Sequence, residues 1–377
     1  MPLEIRQAGT EAEREAIFRL RYEIYVVDQR LFVEQADHDR KLLSDADDVG
    51  ARLFYAESDG EVIGTMRLSW GGDGPFSPAL VAPYDLARFG AVVEPKDAIV
   101  LTRFMVRADR RGGATALALI AAVTRFAHEV RAELLFCDCQ PHLLRLYTAF
   151  GFRTYKPTFN DPVFGLMVPL VLVPSDVEYL RAIQSPALGM VPAEEIELRP
   201  EFAARILARI SDRPPLVRRE DSTPEAFFAE LGGAVEPESL GVFDGIALED
   251  RDRLVAQSHI LECEPGDVVI RAGQTTRTLY VVLRGALEVV EEGALVAVAS
   301  EGQVVGEVAF LMGGRRMSDV RVAAQGARVL ALSDANLRRL IECDAPLAAK
   351  LLHNLARTVC AKLQERSTLG ARSAPRD

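Results

Sequence analysis

The first half of the chain switches repeatedly between helical and strand-like spacing of its apolar residues. Residues 10–25 repeat apolar side chains at helical spacing, with Thr10 as a candidate N-cap and Glu13 three residues later. Two apolar runs flank Asp59-Gly60, which predicts a β-hairpin. The predicted elements are, in order, strand Leu3–Arg6, helix Thr10–Tyr25, strands Leu53–Glu57 and Glu61–Ser69, helix Asp85–Phe89, strand Ala98–Val106, helix Ala114–Val130, strand Leu134–Cys137, helix Pro141–Phe150 and strand Gly165–Val173. This order indicates an α/β domain with a mixed sheet.

The second half of the chain begins with a less regular segment and then becomes rich in strand patterns. Helical stretches at Ser175–Gln184 and Glu201–Ile210 are followed by Pro214-Pro215, which is typical of a partly ordered linker. Two further helices are predicted at Ser333–Cys343 and Ala345–Glu365. The predicted organisation is a first domain over residues 1–174, a partly helical linker over 175–235, a second domain over 236–367 and a polar tail over 368–377.

Length, charge and hydropathy limit the class of protein. A chain of 377 residues predicts two or three domains, and 49% hydrophobic residues are enough for large cores. The net charge of −11 argues against nonspecific binding to nucleic acid. Residues 1–20 are charged throughout, so no signal peptide is expected. The apolar run Leu166–Val173 is interrupted by Pro169 and is too short to span a membrane, so we expect a cytoplasmic protein without a membrane span.

The five cysteines fit free thiols in a reducing compartment better than a disulfide framework. Cys137 and Cys139 are two residues apart, so a strand would point both side chains to one face. They could form half of a metal site, but no second pair of Cys or His with ligand spacing is present in the sequence. We therefore expect no metal.

Residues 304–322, VVGEVAFLMGGRRMSDVRV, place the acid Glu307 and the arginine Arg316 around a predicted short helix. A helix that begins at Gly306 would present backbone N–H groups to an anion. The guanidinium of Arg316 would pair with a phosphate oxygen. The carboxylate of Glu307 would accept hydrogen bonds from a ribose hydroxyl. The segment therefore predicts a pocket for a ribose-phosphate.

This segment resembles the phosphate-binding cassette of the cyclic-nucleotide-binding domain family, over roughly Leu240–Ser367. Arg315 stands where proline is usual, and Met317-Ser318 stand where two small residues are usual, so that Met317 could crowd the nucleotide. The resemblance implies a β-roll followed by helices, with cAMP or cGMP as effector. The alternative is a β-roll that kept the fold and lost the ligand. The implied cyclic-nucleotide-binding residues are Gly306, Glu307, Val308, Ala309, Arg316, Met317 and Ser318.

A glycine-containing turn, Arg111-Gly112-Gly113-Ala114, joins the strand Ala98–Val106 to the following helix. Such a turn exposes N–H groups to a phosphate, although a plain strand–helix turn has the same pattern. With Tyr147 and Gly151-Phe152 further on, the arrangement resembles the GNAT acyltransferase superfamily. The resemblance implies acyl-CoA or acyl-carrier protein as donor and Tyr147 as the acid that protonates the leaving thiolate. The implied donor-binding residues are Phe104, Met105, Val106, Arg111, Gly112, Gly113, Ala114 and Thr115.

Ala114 occupies the position where the superfamily usually has glycine. Its backbone can still donate an N–H, but its methyl group limits how closely a phosphate can approach. This is the feature of the sequence that favours a degenerate acyltransferase fold without activity.

One branch of that superfamily is more similar over Leu3–Val173, namely the acyl-homoserine-lactone synthases and the related N-acyl amino acid synthases. Val100 stands where this branch often has a glutamate, which argues against a homoserine-lactone product but not against acyl transfer. The resemblance implies Arg21 and Arg67 as acceptor-binding residues. It implies catalytic roles for Arg103 and for one or more of Asp45, Asp47 and Asp48. A solvated acidic loop, structural arginines and a core tyrosine at Tyr147 remain the alternatives.

These resemblances predict a cyclic-nucleotide-regulated N-acyltransferase that acts on a small amine, for which an amino acid is the leading candidate. One alternative is a cAMP-regulated protein lysine acetyltransferase that uses acetyl-CoA. Another is a non-enzymatic cyclic-nucleotide sensor. The helix Ala345–Glu365 resembles the family's lid and dimerisation helix, so a homodimer is possible. No helix-turn-helix pattern follows it, so we expect no sequence-specific nucleic-acid binding.

Overall fold

The computed structural model describes residues 3–111, 114–191, 199–210, 241–256 and 258–373. Contacts between residues divide the chain into two compact units. The first comprises Met1–Phe159 with Val168–Pro214, and the second comprises Asn160–Met167 with Pro215–Asp377. The domain boundaries read from the sequence remain predictions.

An eight-stranded mixed sheet is built from residues 4–172. Its strands are β1 (Glu4–Gln7), β2 (Arg52–Ser58), β3 (Glu61–Trp70), β4 (Ala98–Val106), β5 (Leu134–Cys139), β6 (Arg153–Thr154), β7 (Phe159–Asp161) and β8 (Gly165–Leu172). They are ordered β1-β2-β3-β4-β5-β8-β6, and β7 pairs with β8. Strands β4 and β5 run parallel, whereas the pairs β3–β4 and β5–β8 on either side are antiparallel. The predicted mixed α/β sheet is therefore confirmed.

The helices of this half are α1 (Glu11–Arg21), α2 (Pro78–Tyr84), α3 (Ala114–Glu129), α4 (Leu144–Ala149), α5 (Val177–Ala182) and α6 (Pro200–Leu207). Thr10 caps α1 as predicted, because its hydroxyl accepts from the N–H of Glu13 while the Glu13 carboxylate accepts from the N–H of Thr10. After Arg21 the chain continues as a π-helical segment, Tyr22–Asp28, where a continuous α-helix was expected. The helix α2 was not predicted from the sequence, which indicated only the short turn of helix that follows it.

Helices cover both faces of the sheet. On one face, the Phe126 ring of α3 lies 6.1 Å from that of Phe54 and 5.8 Å from that of Trp70. On the opposite face, which we call the α2 face, Tyr84 belongs to a buried cluster with Phe136 and other strand residues. The two faces therefore have separate cores, and each strand contributes alternate residues to each of them.

The second unit contains an antiparallel sheet of six strands. These are β9 (His259–Cys263), β10 (Val268–Ile270), β11 (Thr278–Glu291), β12 (Ala294–Ser300), β13 (Val304–Val305) and β14 (Asp319–Ser333). The long strands β11 and β14 pair from Thr278–Ser333 to Val290–Asp319. β13 pairs with β11 and leads directly into the predicted phosphate cassette.

Helices surround this sheet: α7 (Leu248–Ala256), α8 (Glu307–Met312), α9 (Asp334–Cys343) and α10 (Ala345–Ser373). Leu351 and Leu355 of α10 are buried in one core with Phe310 of α8. The predicted β-roll with helices after it is confirmed. The last helix, however, continues past its predicted end at Glu365 to Ser373, so it includes much of the expected polar tail.

The helices predicted in the linker are present but shorter, as α5 and α6. Pro214-Pro215 and the rest of residues 211–240 lie outside the described residues. Among the described residues, no helix combines the length and the apolar character that crossing a membrane requires.

Candidate acyl-transfer and nucleotide sites

The first candidate site is built on a buried ion pair between Arg21, at the end of α1, and Asp48. Nη1 of Arg21 donates to both carboxylate oxygens of Asp48, at 2.7 and 2.8 Å. The side chains are 1% and 4% exposed. Burial lowers the pKa of Arg21, while the Asp48 charge opposes that change. In such a buried pair each charge is stabilised by the other, so removing either one is costly.

Arg67 on β3 links this pair to the rest of the site. Its Nε donates to Thr102 Oγ1 at 2.8 Å, and its Nη1 approaches Asp48 Oδ1 at 3.3 Å. The same guanidinium also bonds Asp45. Arg67 is almost fully buried, so its charge is directed toward these aspartates.

Asp45 connects Arg67 to Arg103 on β4, where Arg103 Nη2 lies 2.6 Å from Asp45 Oδ2. Burial alone would raise the pKa of Asp45, but the charges of Arg67 and Arg103 lower it below its ordinary value of 3.8. The Arg103 guanidinium also lies 4.5 Å from the centre of the Phe32 ring. The structure thus brings these predicted residues together, with the aspartates serving as counter-ions.

Asp47 belongs to the same cluster. It accepts a hydrogen bond from Ser77 Oγ at 2.6 Å, and Arg67 Nη2 lies 3.7 Å from it. All three predicted aspartates therefore have cationic neighbours, which the sequence did not indicate. We call Arg21, Asp45, Asp47, Asp48, Arg67 and Arg103 the acceptor cluster.

The predicted donor-binding end of β4 contains an irregularity at Arg103. Arg103 has a φ of 52°, and the pairing of β4 with β3 jumps from Thr102 to Met105. Backbone N–H groups at such a bulge are released from the regular ladder. Val106 ends the strand, and its carbonyl accepts from Arg111 Nε at 3.1 Å.

Ala114 begins α3 as predicted, and Thr115 beside it is buried. Gly112 and Gly113, predicted to bind the donor phosphate, lie outside the described residues. Tyr147 is on α4, with its ring edge-on to Phe152 at 5.7 Å. Burial raises the pKa of the Tyr147 hydroxyl, and the negative charge of Asp138 acts in the same direction. The hydroxyl is therefore protonated at neutral pH.

The second candidate site lies in the phosphate cassette, where Gly306 precedes α8 with a φ of 82°. Arg316 is 4% exposed. Its Nη1 donates to the Gly306 carbonyl at 2.8 Å, and its Nη2 donates to the Thr278 carbonyl. A Cβ at position 306 would lie 2.5 Å from Arg316 Nη1, so only glycine fits there. Burial lowers the pKa of Arg316, while Tyr280 and Glu307 oppose that change.

Glu307 is also buried, and it is held by a residue that the sequence analysis did not identify. Lys362 Nζ on α10 lies 2.9 Å from Glu307 Oε1 and 2.6 Å from the carbonyl of Val304. Lys362 follows the buried Leu355 by two helical turns, so both residues lie on one face of α10. The seven-residue spacing between Leu355 and Lys362 could therefore have predicted from the sequence that Lys362 faces the sheet.

The remaining cassette residues are more exposed. Val308 is 50% and Met317 80% exposed, so Met317 does not fill the interior of the cassette. Ser318 Oγ donates to Glu291 Oε1 at 2.7 Å, and Ala309 is buried.

Two further features bear on the expected ligands. Within the described ranges, no group of three or more His, Cys, Asp or Glu residues is placed to hold a metal ion. Cys137 and Cys139 are buried free thiols whose pKa values are raised by burial.

A cavity of about 430 Å³ lies at the far end of α3, lined by residues that include Leu135, Leu172 and Ser175. It contains none of the predicted site residues.

Two segments of the chain match known protein families. Residues 16–176 match the family "N-acyl amino acid synthase FeeM". Residues 260–344 match the family "Cyclic nucleotide-binding domain". The chain thus combines one segment that matches the N-acyl amino acid synthase family with a second that matches the cyclic nucleotide-binding domain family. The suspected resemblance to both families is confirmed.

Similar curated proteins are channels. The voltage-gated delayed rectifier potassium channel KCNH1 of Rattus norvegicus is 29% identical over 124 residues, which cover 33% of this chain and 11% of the channel. The human potassium/sodium hyperpolarization-activated cyclic nucleotide-gated channel 3 is 31% identical over 93 residues, covering 25% of this chain and 12% of the channel. The chain spans only about a tenth of the length of these relatives.

The solved structures that are similar to this chain include an acyl-homoserine lactone synthase and a cyclic nucleotide-binding domain. The CoA-dependent acyl-homoserine lactone synthase BjaI, solved with MTA, is 19% identical, covers 55% of this chain and all (100%) of its own, and has a TM-score of 0.38. A cyclic nucleotide-binding domain from Methylobacillus flagellatus is 19% identical, covers 40% of this chain and 86% of its own, and has a TM-score of 0.36.

Proposed function

We propose that this acyltransferase moves an acyl group from acyl-CoA or acyl-carrier protein to the amine of an amino acid, under the control of a cyclic nucleotide. The observation that carries the proposal is the accessible edge of the acceptor cluster. Asp45 is 32% and Arg103 15% exposed, whereas Arg21, Arg67 and Asp48 are each at most 4% exposed. Asp47 is 17% exposed beside them. The bonded Asp45 carboxylate and Arg103 guanidinium are thus presented side by side on a buried support.

This pair is complementary to the two charges of an amino acid. The ammonium group would approach Asp45, and the carboxylate would approach Arg103, whose guanidinium suits a carboxylate. The Phe32 ring over Arg103 would keep that guanidinium oriented. A protein lysine has no carboxylate at its reactive end, so this edge favours a free amino acid over a protein acceptor.

The transfer itself needs a neutral amine, donors for the thioester oxygen and an acid for the leaving sulfur. Backbone N–H groups at the Arg103 bulge would hold the oxygen. The Tyr147 hydroxyl, kept protonated by burial, would donate its proton to the thiolate.

The cyclic nucleotide would bind the cassette of the second unit. Its phosphate would pair with Arg316, and a ribose hydroxyl would bond Glu307 in competition with Lys362. Regulation requires that the nucleotide bind two states of the protein with different affinity. Because Lys362 is on α10, a nucleotide that releases it would change the contacts of that helix.

Product analysis tests the proposed reaction. The full chain is incubated with donors from acetyl to palmitoyl, as CoA and carrier-protein thioesters, with mixed amino acids, and products are identified by mass spectrometry. We expect N-acyl amino acids, with a rate that cAMP changes by about five- to 150-fold. Arg103→Gln should abolish selection for amino acids, whereas Arg19→Gln, a change in an exposed arginine, should not.

Other outcomes decide between the alternatives. Acetylated protein lysines without N-acyl amino acids would show a lysine acetyltransferase. No turnover with any donor, combined with cAMP binding, would show a non-enzymatic sensor. Coupling is tested by reciprocity: a dead-end donor analogue should change cAMP affinity by the same factor by which cAMP changes affinity for the analogue.

A further inference from the structure

The acceptor cluster leaves one step of the proposed reaction without a residue to perform it. The amine must lose a proton before it can attack, so a base is needed near the acceptor. Asp48 is buried between Arg21 and Arg67. Asp45 bonds two arginines, which stabilise its ionised form and make it a weak base. Asp47 accepts a hydrogen bond from Ser77 and lies 3.7 Å from Arg67. Each of the three aspartates is therefore already engaged by a structural partner.

The sheet places a different carboxylate close to the acceptor cluster. Strands β4 and β5 pair in parallel up to Val100 and Phe136, and their pairing ends there. Thr102 and Asp138 lie two residues further along β4 and β5. Because side chains alternate along a strand, both lie on the same face as Val100 and Phe136, the α2 face. Thr102 accepts the hydrogen bond from Arg67 Nε. Asp138 thus lies on the acceptor-cluster face, across the opening between the strands from Thr102.

The surroundings of Asp138 suit a group that exchanges protons. Its carboxylate is partly buried and forms a side-chain hydrogen bond with Tyr84, a buried residue of α2. It also interacts with Tyr147, the expected acid on α4. The titratable groups that act on or with Asp138 are Tyr84, Tyr147, Tyr155, Lys156, Cys137 and Cys139.

We propose that Asp138 is the general base of the acyl transfer. This inference rests on the proposed function. The Asp138 carboxylate takes one proton from the acceptor ammonium, and the nitrogen lone pair then forms a C–N bond to the thioester carbonyl. The C–S bond breaks, Tyr147 protonates the thiolate, and the second amine proton restores the Tyr147 hydroxyl. The products are amide, thiol and one proton, which Asp138 releases to solvent.

Asp138→Asn in the full chain tests this role. Turnover with an amino acid should fall about a hundred- to ten-thousand-fold, with donor binding unchanged. Hydroxylamine, whose nitrogen is already unprotonated at neutral pH, should react nearly as fast with the variant as with the parent. Asp138→Glu should recover part of the loss, and Asp73→Asn, a surface aspartate paired with Arg52, serves as control. Equal losses with both acceptors, or no loss, would overturn the proposal.

Tyr84→Phe provides a second test that retains the carboxylate. Losing the Tyr84 hydrogen bond removes a contact that stabilises the ionised carboxylate, so the acidic limb of the kcat/KM profile should move to higher pH. An acidic limb that stays in place would contradict the role of Asp138. If the parent protein itself acylates no amine, the proposed function fails. If the parent acylates amino acids and both variants match it, only the role of Asp138 fails.

Discussion

Lys362 and Glu307 form a salt bridge of 2.9 Å that ties the last helix to the phosphate cassette. Glu307 is the residue expected to bind a ribose hydroxyl, and its side chain is 12% exposed against 34% for Lys362. If a nucleotide binds as proposed, it would compete with the lysine for this carboxylate. Such competition would link the nucleotide site to α10 through the Lys362–Glu307 contact.

Replacing Lys362 with glutamine should strengthen cAMP binding. A partly exposed ion pair is worth about 0.2–1 kcal/mol, so the dissociation constant should fall by roughly 1.5- to 5-fold. Isothermal titration calorimetry measures the change. Lys350→Gln, an exposed lysine on the same helix, is the matched control. Weaker binding by the Lys362 variant would mean that the lysine contacts the nucleotide and does not compete with it.

Arg316→Ala should remove most nucleotide binding. Losing a charge-assisted pair with the phosphate costs about 2–4 kcal/mol, or roughly one and a half to three decades in affinity. Because Arg316 also bonds the carbonyls of Gly306 and Thr278, the variant should melt at a lower temperature. Arg315→Ala, an exposed neighbour, should change neither property. Parental cAMP affinity in the Arg316 variant would refute the assignment.

Local chemistry made some elements predictable. The Thr10–Glu13 capping box is complete within four residues, so the start of α1 could be located from the sequence. The helix α2 could not be predicted from the sequence, because Pro78 and Pro83 lie within it. Its stability comes from the tertiary contacts of Leu80 and Tyr84.

The composition of the candidate sites was more predictable than the roles of their residues. Arg21, Asp48 and Arg67 were identified through the family resemblance, and the fold does bring them together. That Asp48 is a buried counter-ion depends on Arg67 and Arg21, 19 and 27 residues away, which spacing alone does not reveal. Lys362 is more distant still, 55 residues from Glu307, and it emerged only from the packing of α10.

Tyr147→Phe should slow turnover while leaving donor affinity nearly unchanged, because only the hydroxyl is lost. A general acid contributes about a hundred- to ten-thousand-fold. Single-turnover measurements, in which product release does not intervene, give the rate of the chemical step. Tyr179→Phe, which retains the ring beneath Arg153, controls for the loss of a hydroxyl elsewhere in the first unit. An unchanged chemical step would exclude Tyr147 as the acid.

Breaking the Arg21–Asp48 pair should destabilise the first unit by about 3–5 kcal/mol, because one charge is left buried without its partner. Either substitution, Asp48→Leu or Arg21→Met, breaks the pair. The double variant should lose less unfolding free energy than the sum of the two single losses, because neither buried charge remains. Trp70, the only tryptophan, lies on β3 and reports unfolding of this unit by its fluorescence. Additive losses would show that the two side chains act independently.

The stability that Asp45 provides should depend on pH in a defined direction. Arg67 and Arg103 lower the pKa of Asp45 below its ordinary value of 3.8, so folding favours the ionised carboxylate. Its contribution is complete above the unfolded-state pKa and is lost as the pH falls through the lower folded-state value.

Urea unfolding of the parent and of Asp45→Asn, followed by Trp70 fluorescence from neutral pH downward, tests this direction. The two midpoints should differ by a constant amount above about pH 5 and converge as the pH falls below about 4. Asp39→Asn, a change in an exposed aspartate of the same loop, controls for the loss of a surface charge. A gap that widens on acidification would mean that Asp45 is protonated in the folded protein. The arginines would then lack the counter-ion that the proposed amino acid site requires.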